Sequence, residues 1–293
     1  MHNAKIPVMI SAVVSLVFCA FASVGSFEIR LGLSALADRL DGNISTYLLL
    51  DRTGKGDPTA RSSAVTSDPG NSRSHSSAGY GENSSVLVIF LHGLGGSETQ
   101  LKPIALDLSR EVSGLKIALA NAPYRRLGGG REWFVVDGRE LEPQRVNAAR
   151  QAFDSVINEI ITAQGFSSKL DHVVLVGFSQ GAIMALDAVE SRRWNFGAIV
   201  AFSGMIPFIA HTASPVTPTR ILLVHGEVDQ TIPVSASIAA EKEFRDAGFS
   251  VSLRVLPGLG HSTSKDGEQF AIDFVRDYLT DLHGSGNGDQ RLR

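Results

Sequence analysis

Short apolar runs recur along the chain from residue 86 to residue 256, and helical patterns separate most of them. The run Val86–Leu91 has no polar position, as expected for a strand that is covered on both faces. The other predicted strands are Leu115–Ala120, Val173–Val176, Ala198–Phe202, Ile221–Val224 and Val251–Leu256. The predicted helices are Leu101–Val112, Val146–Ala163, Ala182–Glu190, Ser235–Asp246 and Phe270–Leu282. This alternation predicts an α/β fold with a mostly parallel, doubly wound sheet and helices on both faces.

The first 26 residues have the pattern of an export signal. Lys5 is followed by an uncharged run from Ile6 to Phe27, and Ala20-Phe21-Ala22 has the small residues of a signal-peptidase cleavage site. We therefore predict that residues 1–26 are a signal peptide, with an uncleaved N-terminal membrane anchor as the alternative. The protein is accordingly expected to be exported, either periplasmic or secreted, or attached to a membrane through this segment.

Residues 27–85 are predicted to be a poorly structured preface and a Ser/Gly-rich linker. Tyr47–Leu50 is a candidate edge strand, but residues 52–85 are rich in Ser, Gly and Pro and contain no Leu, Ile, Phe or Met. Such a segment buries too little surface to offset the entropy that it would lose on ordering. The domain prediction is therefore a single α/β domain over residues 86–283, followed by a flexible tail over residues 284–293.

Charge and cysteine content exclude several classes of partner. The 293-residue chain has 27 Lys and Arg against 30 Asp and Glu, which gives a formal charge of −3. No basic field is present to attract nucleic acid, so a nucleic-acid partner is not expected. Cys19 is the only cysteine, which excludes an intramolecular disulfide and a cysteine-based metal cage. No metal site is predicted.

A serine stands at the junction between a predicted strand and the helix that follows it. The segment Gly177-Phe178-Ser179-Gln180-Gly181 comes directly after Val173–Val176. Small residues on both sides allow a strained strand-to-helix turn that exposes a nucleophilic serine. The alternative is an ordinary glycine-rich turn, and the residues that could serve as partners of Ser179 argue against it.

The hydroxyl of Ser179 would need a histidine base, which a carboxylate orients in turn. In a strand–turn–helix site of this kind the acid follows the serine along the chain and the histidine comes last. Asp229 and His261 each follow a different later strand, which places both at the carboxyl edge of the sheet. Glu227 is the rival acid, and His225 is interpreted as a structural residue that packs the same loop. Ser179, Asp229 and His261 are therefore the predicted catalytic residues.

Two backbone N–H groups are predicted to bind the oxyanion of a tetrahedral intermediate. One belongs to Gln180, the residue after the serine, and the other to the loop after an early strand. That loop is His92-Gly93-Leu94-Gly95-Gly96-Ser97, in which we expect the N–H of Leu94 to be the second donor. A phosphate-binding loop is the alternative, but the glycine spacing of the common phosphate-binding motifs is absent from the sequence.

The motifs around these residues resemble those of a known family. Leu91-His92-Gly93-Leu94-Gly95, Gly177-Phe178-Ser179-Gln180-Gly181-Ala182, His225-Gly226-x-x-Asp229 and Gly260-His261 are similar to segments of the phospholipase/carboxylesterase family, the acyl-protein-thioesterase-like serine hydrolases. The resemblance covers about residues 86–283. It implies an α/β-hydrolase fold without a large lid, activity on carboxylic esters or thioesters, and no cofactor. Asp137 departs from the pattern, because Val135-Val136 separates it from the aromatic pair Trp133-Phe134.

The resulting hypothesis is a serine carboxylesterase that hydrolyses small or medium acyl esters through an acyl-enzyme. Trp133 and Phe134 are predicted to wall the substrate pocket, with ordinary core packing as the alternative. A lysophospholipase or acyl-thioesterase with the same three residues is the alternative within the enzymes, and a catalytically inactive binding protein of the same fold is the alternative outside them. The expected partner is a small-molecule ester, and the sequence leaves the oligomeric state open.

Overall fold

The computed structural model describes residues 47–50, 85–207 and 219–286, which contain nine strands and five α-helices. The strands are β1 (Tyr47–Leu50), β2 (Val86–Leu91), β3 (Leu115–Ala120), β4 (Tyr124–Arg125), β5 (Arg131–Glu132), β6 (Val173–Phe178), β7 (Ala198–Phe202), β8 (Arg220–Gly226) and β9 (Ser250–Leu256). The helices are α1 (Lys102–Glu111), α2 (Pro143–Ala163), α3 (Gln180–Glu190), α4 (Val234–Asp246) and α5 (Lys265–Gly286). The predictions of a signal peptide or anchor and of a Ser/Gly-rich linker fall on residues outside these ranges. Within the ranges, no helix combines the length and the apolar character that a membrane crossing needs.

Seven strands form one sheet in the order β1-β3-β2-β6-β7-β8-β9, while β4 and β5 form a separate hairpin. The six strands from β3 to β9 in this sheet are parallel to one another, and only the edge strand β1 is antiparallel to its neighbour. The prediction of a mostly parallel, doubly wound sheet is therefore confirmed.

Strand β2 illustrates why the apolar runs become central strands. All six of its residues are buried, and their side chains alternate between two apolar cores. Leu87, Ile89 and Leu91 face the core that α2, α3 and α4 cover, whereas Val86 and Val88 face the core under α1 and α5. Because both faces of the strand are covered, the sequence shows a continuous apolar run instead of an alternating one.

The edge strand β1 extends the sheet ahead of residue 86. Tyr47 pairs with Ala120 and Leu50 with Ile117, and the Tyr47 hydroxyl accepts a hydrogen bond from Nε2 of Gln164 at 3.0 Å. The candidate edge strand within residues 27–85 is thus part of the sheet and not of a poorly structured preface. At the other end of the chain, α5 continues to residue 286, which is beyond the start of the predicted tail at residue 284.

All six parallel strands point their carboxyl ends toward the same edge of the sheet. The loops that carry Leu94, Ser179, Asp229 and His261 follow β2, β6, β8 and β9 at that edge. Parallel topology therefore brings four segments that are distant in sequence to one side of the domain.

We expect Leu49→Ala to lower the free energy of unfolding by about 2–4 kcal/mol, because Leu49 is buried in the core between the sheet and α2. Leu48→Ala is the matched control, since Leu48 lies on the same strand but is only partly buried, and it should cost distinctly less. Urea unfolding of both variants measures the difference. Equal effects at the two positions would contradict the burial of Leu49 in this core.

Candidate active site

Ser179 occupies a strained turn between β6 and α3. Its φ is 52° and its ψ is −118°, a backbone conformation that side-chain-bearing residues rarely adopt. Two hydrogen bonds hold this conformation: the Ser179 N–H donates to the carbonyl of Phe202 at 2.9 Å, and the Ser179 carbonyl accepts from the N–H of Ile183 at 2.9 Å. The turn presents the serine hydroxyl at the carboxyl edge of the sheet.

The glycines on either side of the serine are required by close backbone contacts. A Cβ on Gly177 would lie 2.5 Å from the backbone nitrogen of Ala182, and one on Gly181 would lie 2.2 Å from the carbonyl oxygen of Leu91. Neither contact leaves room for a methyl group. The two glycines of the motif therefore allow α3 to start directly against β6 and the end of β2.

His261 connects the serine to a carboxylate. Its Nε2 lies 2.9 Å from Oγ of Ser179, and its Nδ1 lies 2.7 Å from Oδ2 of Asp229. An ionised carboxylate can only accept, so Nδ1 carries the ring proton and Nε2 is free to accept the proton of the serine hydroxyl. The ring is 19% exposed and rests against Phe178, with ring centroids 5.1 Å apart.

The Asp229 carboxylate is fully buried and saturated with donors. Oδ1 accepts the N–H groups of Thr231 and Ile232, both at 2.9 Å, and Oδ2 accepts from His261. Burial by itself would raise the pKa of Asp229, but the hydrogen bonds from His225, His261 and Ile232 outweigh it and hold the pKa well below the usual range for an aspartate. The carboxylate is therefore ionised at neutral pH.

The rival acid, Glu227, does not reach His261. It is exposed, and its Oε2 accepts the N–H of Gly258 at 3.1 Å. Of the two acids in this loop, the structure thus brings Asp229 to the histidine.

The two predicted oxyanion donors flank the serine. In the loop after β2, the N–H of Gly93 donates to Oε1 of Gln100 at 2.7 Å and that of Gly95 to the carbonyl of Arg131 at 2.8 Å. Among the residues in the described ranges, none accepts a hydrogen bond from the N–H of Leu94. A Cβ on Gly93 would lie only 3.3 Å from Cβ of Ser179, so this loop passes directly beside the serine.

Gln180 contributes to the site through its backbone N–H and through its side chain. It is the first residue of α3, where no carbonyl four residues back completes a helical hydrogen bond, so its N–H lies in the orphan first turn. Its side chain also accepts the N–H of Trp133 at 2.8 Å and donates to the carbonyl of Phe134 at 2.8 Å. The amide side chain of Gln180 thereby fixes the backbone of Trp133 and Phe134 beside the start of α3.

The structure separates the two aromatic residues of the predicted pocket. Trp133 is completely buried, donates from Nε1 to the carbonyl of His92 at 2.8 Å, and packs edge-on against Phe153. It exposes no surface to a substrate, which matches the core-packing alternative and not the pocket-wall prediction. Phe134 is partly exposed and lines an open groove.

The groove has a volume of about 360 Å³, which includes space open to solvent, and it runs beside α3 from one helical turn after Ser179. Its walls are mostly apolar, and along the helix it reaches Asp187, which pairs with Arg150 at 2.6 Å. Asp187 lies eight residues, or about 12 Å, along the helix from Ser179, and the part of α3 that lines the groove, from Ile183 to Asp187, covers about 6 Å of that length. The lining residues are Phe134, Glu140, Leu141, Val146, Ala149, Arg150, Ile183, Met184, Asp187 and Pro207.

Two buried histidines, His92 and His225, make hydrogen bonds that the sequence did not predict. His92 and His225 each precede a glycine at the end of a parallel strand, and this repeated His-Gly pair is the signal that the sequence offers. His92 is buried, with Nδ1 2.7 Å from the carbonyl oxygen of Gly93 and Nε2 accepting the N–H of Ala122 at 3.0 Å. It ties the loop of Leu94 to the segment after β3.

In the described part of the chain, metal-ligating side chains do not cluster. There, no three His, Cys, Asp or Glu side chains are grouped so that they could hold a metal ion.

Comparison with known proteins places the chain among ester hydrolases. The profile of the phospholipase/carboxylesterase family matches residues 79–279. Esterase YpfH of Escherichia coli is 29% identical over 193 residues, which cover 65% of this chain and 82% of that protein. Acyl-protein thioesterase 1 of Saccharomyces cerevisiae is 28% identical over 212 residues, covering 66% of this chain and 92% of that protein. Among solved structures, the crystal structure of esterase PE8 superposes with a TM-score of 0.59 at 29% identity, covering 67% of this chain and 93% of the other.

The buried His92 predicts a loss of stability in mild acid. Burial lowers the pKa of His92 from about 6.5 to about 4, so the unfolded chain binds a proton in this interval that the folded chain does not. The free energy of unfolding should therefore fall by about 2–3 kcal/mol as the pH drops from 6.5 to 4 on account of this residue. Urea unfolding at a series of pH values measures the slope.

His92→Gln is the control for this prediction, because the amide oxygen still accepts from Ala122 but does not titrate. Its stability should depend less on pH over the same interval. Asp229 does not interfere with this measurement. Because its pKa is lowered in the folded chain, its contribution to the free energy of unfolding is lost only as the pH falls below the normal range for aspartate. An unchanged slope in His92→Gln would show that another group causes the acid sensitivity.

Proposed function

The chain belongs to the phospholipase/carboxylesterase family of α/β-hydrolases, and on this premise we propose that it is a serine carboxylesterase for small or medium acyl esters. The observation that carries the proposal is the continuous chain of hydrogen bonds from Ser179 through His261 to Asp229, with distances of 2.9 and 2.7 Å. These are the separations that a nucleophile, its base and an orienting carboxylate require.

In the proposed first step, Oγ of Ser179 attacks the ester carbonyl while Nε2 of His261 takes the hydroxyl proton. The carbonyl oxygen becomes an oxyanion, which the N–H groups of Leu94 and Gln180 bind. Asp229 keeps the imidazole in the required tautomer and stabilises the imidazolium that forms. His261 then returns the proton to the leaving alkoxide, and an acyl-serine remains.

In the second step, water replaces the alcohol. His261 takes a proton from the water as it attacks the acyl-serine, a second oxyanion occupies the same pair of N–H groups, and the proton returns to Oγ of Ser179 as the carboxylic acid leaves.

The groove beside α3 suits the acyl chain of such a substrate. It begins one helical turn from the serine, is mostly apolar and reaches the Arg150–Asp187 ion pair, which lies about 12 Å from Ser179 along the helix and favours short and medium chains over long ones. An acyl-thioesterase or lysophospholipase with the same three residues is the alternative, and one relative is named an acyl-protein thioesterase. Rates on matched oxygen esters and thioesters of increasing chain length distinguish these substrates.

Export, or attachment to a membrane, through residues 1–26 remains part of the proposal. It rests on the uncharged run after Lys5 and the small residues at Ala20 and Ala22. Sequencing the N-terminus of the mature protein tests it, because cleavage after Ala22 removes the segment and an intact N-terminus indicates an anchor.

Ser179→Ala should lower kcat on a short aryl ester by about 10⁴-fold or more while the protein stays folded, because the nucleophile is lost. The native chain should also react covalently at Ser179 with a fluorophosphonate, as read by mass spectrometry. Ser109→Ala is the matched control, since its hydroxyl only caps a carbonyl within α1, and it should keep full activity. A folded Ser179→Ala variant with native activity would overturn the assignment of Ser179 as the nucleophile, whereas a native chain that neither hydrolyses the ester nor is labelled would favour an inactive binding protein.

Phe134→Ala should reduce kcat/KM for an octanoyl aryl ester by about tenfold and change that for the acetyl ester by about twofold or less, because only the longer chain extends along the groove. Phe134→Leu retains an apolar side chain, so its kcat/KM for the octanoyl ester should lie between those of the native chain and Phe134→Ala. Equal losses on both esters would place the acyl group elsewhere.

A further inference from the structure

His225 has a hydrogen-bond partner on each ring nitrogen and lies beside the carboxylate of Asp229. It lies near the end of β8, and its side chain is fully buried. Nε2 is 2.7 Å from the carbonyl oxygen of Ile232 and 3.3 Å from Oδ2 of Asp229. Nδ1 is 2.7 Å from Oγ of Ser237 on α4. Both nitrogens of the ring are therefore hydrogen-bonded, and one of them also lies beside the carboxylate that orients His261.

The partners determine where the ring carries a proton. A carbonyl oxygen and an ionised carboxylate are acceptors only, so Nε2 must carry a hydrogen, which it donates to the carbonyl of Ile232 at 2.7 Å, with Oδ2 of Asp229 at 3.3 Å beside it. Nδ1 faces a hydroxyl, which can either donate or accept, and the same Ser237 oxygen also lies 3.3 Å from the carbonyl oxygen of Gly204. The requirement for a proton on Nε2 thus holds whatever the state of Nδ1.

Oδ2 of Asp229 lies between two histidines. His261 donates to it from the side of the serine at 2.7 Å, and His225 faces it from within the core at 3.3 Å. The other oxygen, Oδ1, is held by the N–H groups of Thr231 and Ile232. Without His225, the only side chain within hydrogen-bonding reach of Oδ2 among the described residues would be the base that this oxygen has to orient.

We propose that His225 is a positioning residue for the hydrolysis: its Nε2–H donates to the carbonyl of Ile232, whose own N–H holds Oδ1 of Asp229, and its ring lies 3.3 Å from Oδ2, so that the carboxylate stays in the place from which it orients the ring of His261. The inference rests on the proposed function of Ser179, His261 and Asp229. His225 touches neither the serine nor the space in front of it, so its effect on the reaction passes through the carboxylate.

Two amide substitutions separate the two ring nitrogens. The side-chain nitrogen of His225→Gln reaches roughly the position of Nε2, whereas the amide of the shorter His225→Asn reaches that of Nδ1, on the side of Ser237. With a short aryl ester, we expect His225→Gln to keep kcat within about fivefold of the native value and His225→Asn to lower it by about tenfold to a hundredfold. KM should stay within about twofold in both variants, because His225 does not contact the substrate.

A double-mutant cycle distinguishes positioning from packing. In an Asp229→Ala background, His225→Asn should cause no further loss of kcat, because the group through which it acts is already absent. A packing residue would instead lower stability alike in the Gln and Asn variants and would add its effect to that of Asp229→Ala. A folded His225→Asn variant with native kcat would overturn the inference while leaving the esterase proposal intact, whereas failure of the native chain to hydrolyse esters would overturn the latter.

The native protein provides a measurement that does not depend on folding of the variants. In ¹⁵N-histidine-labelled protein, the nitrogen chemical shifts report which ring nitrogens are protonated. We expect Nε2 of His225 to be protonated across the pH range in which the enzyme is active. An unprotonated Nε2 would overturn the inference even if neither variant folds.

Discussion

A fully buried carboxylate costs several kcal/mol unless hydrogen bonds replace the water that it has lost. Asp229 meets this requirement with two backbone N–H groups on Oδ1 and two histidines near Oδ2. The backbone donors come from the loop that turns after the carboxylate itself, so the loop conformation and the ionised state support each other. Because the charge is retained, the tautomer of His261 is determined, and with it the acceptor that faces Ser179.

The nucleophile side of the site depends on close approach of backbones and not on charge. The end of β2, the end of β6 and the start of α3 meet where Gly93, Gly177 and Gly181 leave no room for side chains. This contact places the loop of Leu94 next to the first turn of α3. Trp133 is then held at this contact by two hydrogen bonds, one to the side chain of Gln180 and one to the carbonyl of His92. A strained serine can persist there because its surroundings determine its conformation from several directions.

Most of the fold could be predicted because apolar periodicity is local information. β3 and β7 coincide with their apolar runs, but α2 begins at Pro143 and not at Val146, since proline is well suited to the first turn of a helix. α5 begins at Lys265, ahead of the first apolar position at Phe270, because Asp266 and Glu268 favour the positive end of the helix dipole. The order of strands and loops identified which serine, acid and histidine meet. Pattern alone could not assign the partners of His92 and His225 or separate Trp133 from Phe134, since these depend on contacts between distant segments.

The direction of β1 determines at which end of the parallel strands this part of the chain enters the sheet. β1 runs opposite to the other strands, and Tyr47 pairs with Ala120 at the carboxyl end of β3. The chain therefore enters the sheet at the edge where Ser179 lies and leaves β1 at the opposite edge. Tyr47, the first residue of β1, therefore lies at the same end of the sheet as the loops that carry Ser179, Asp229 and His261.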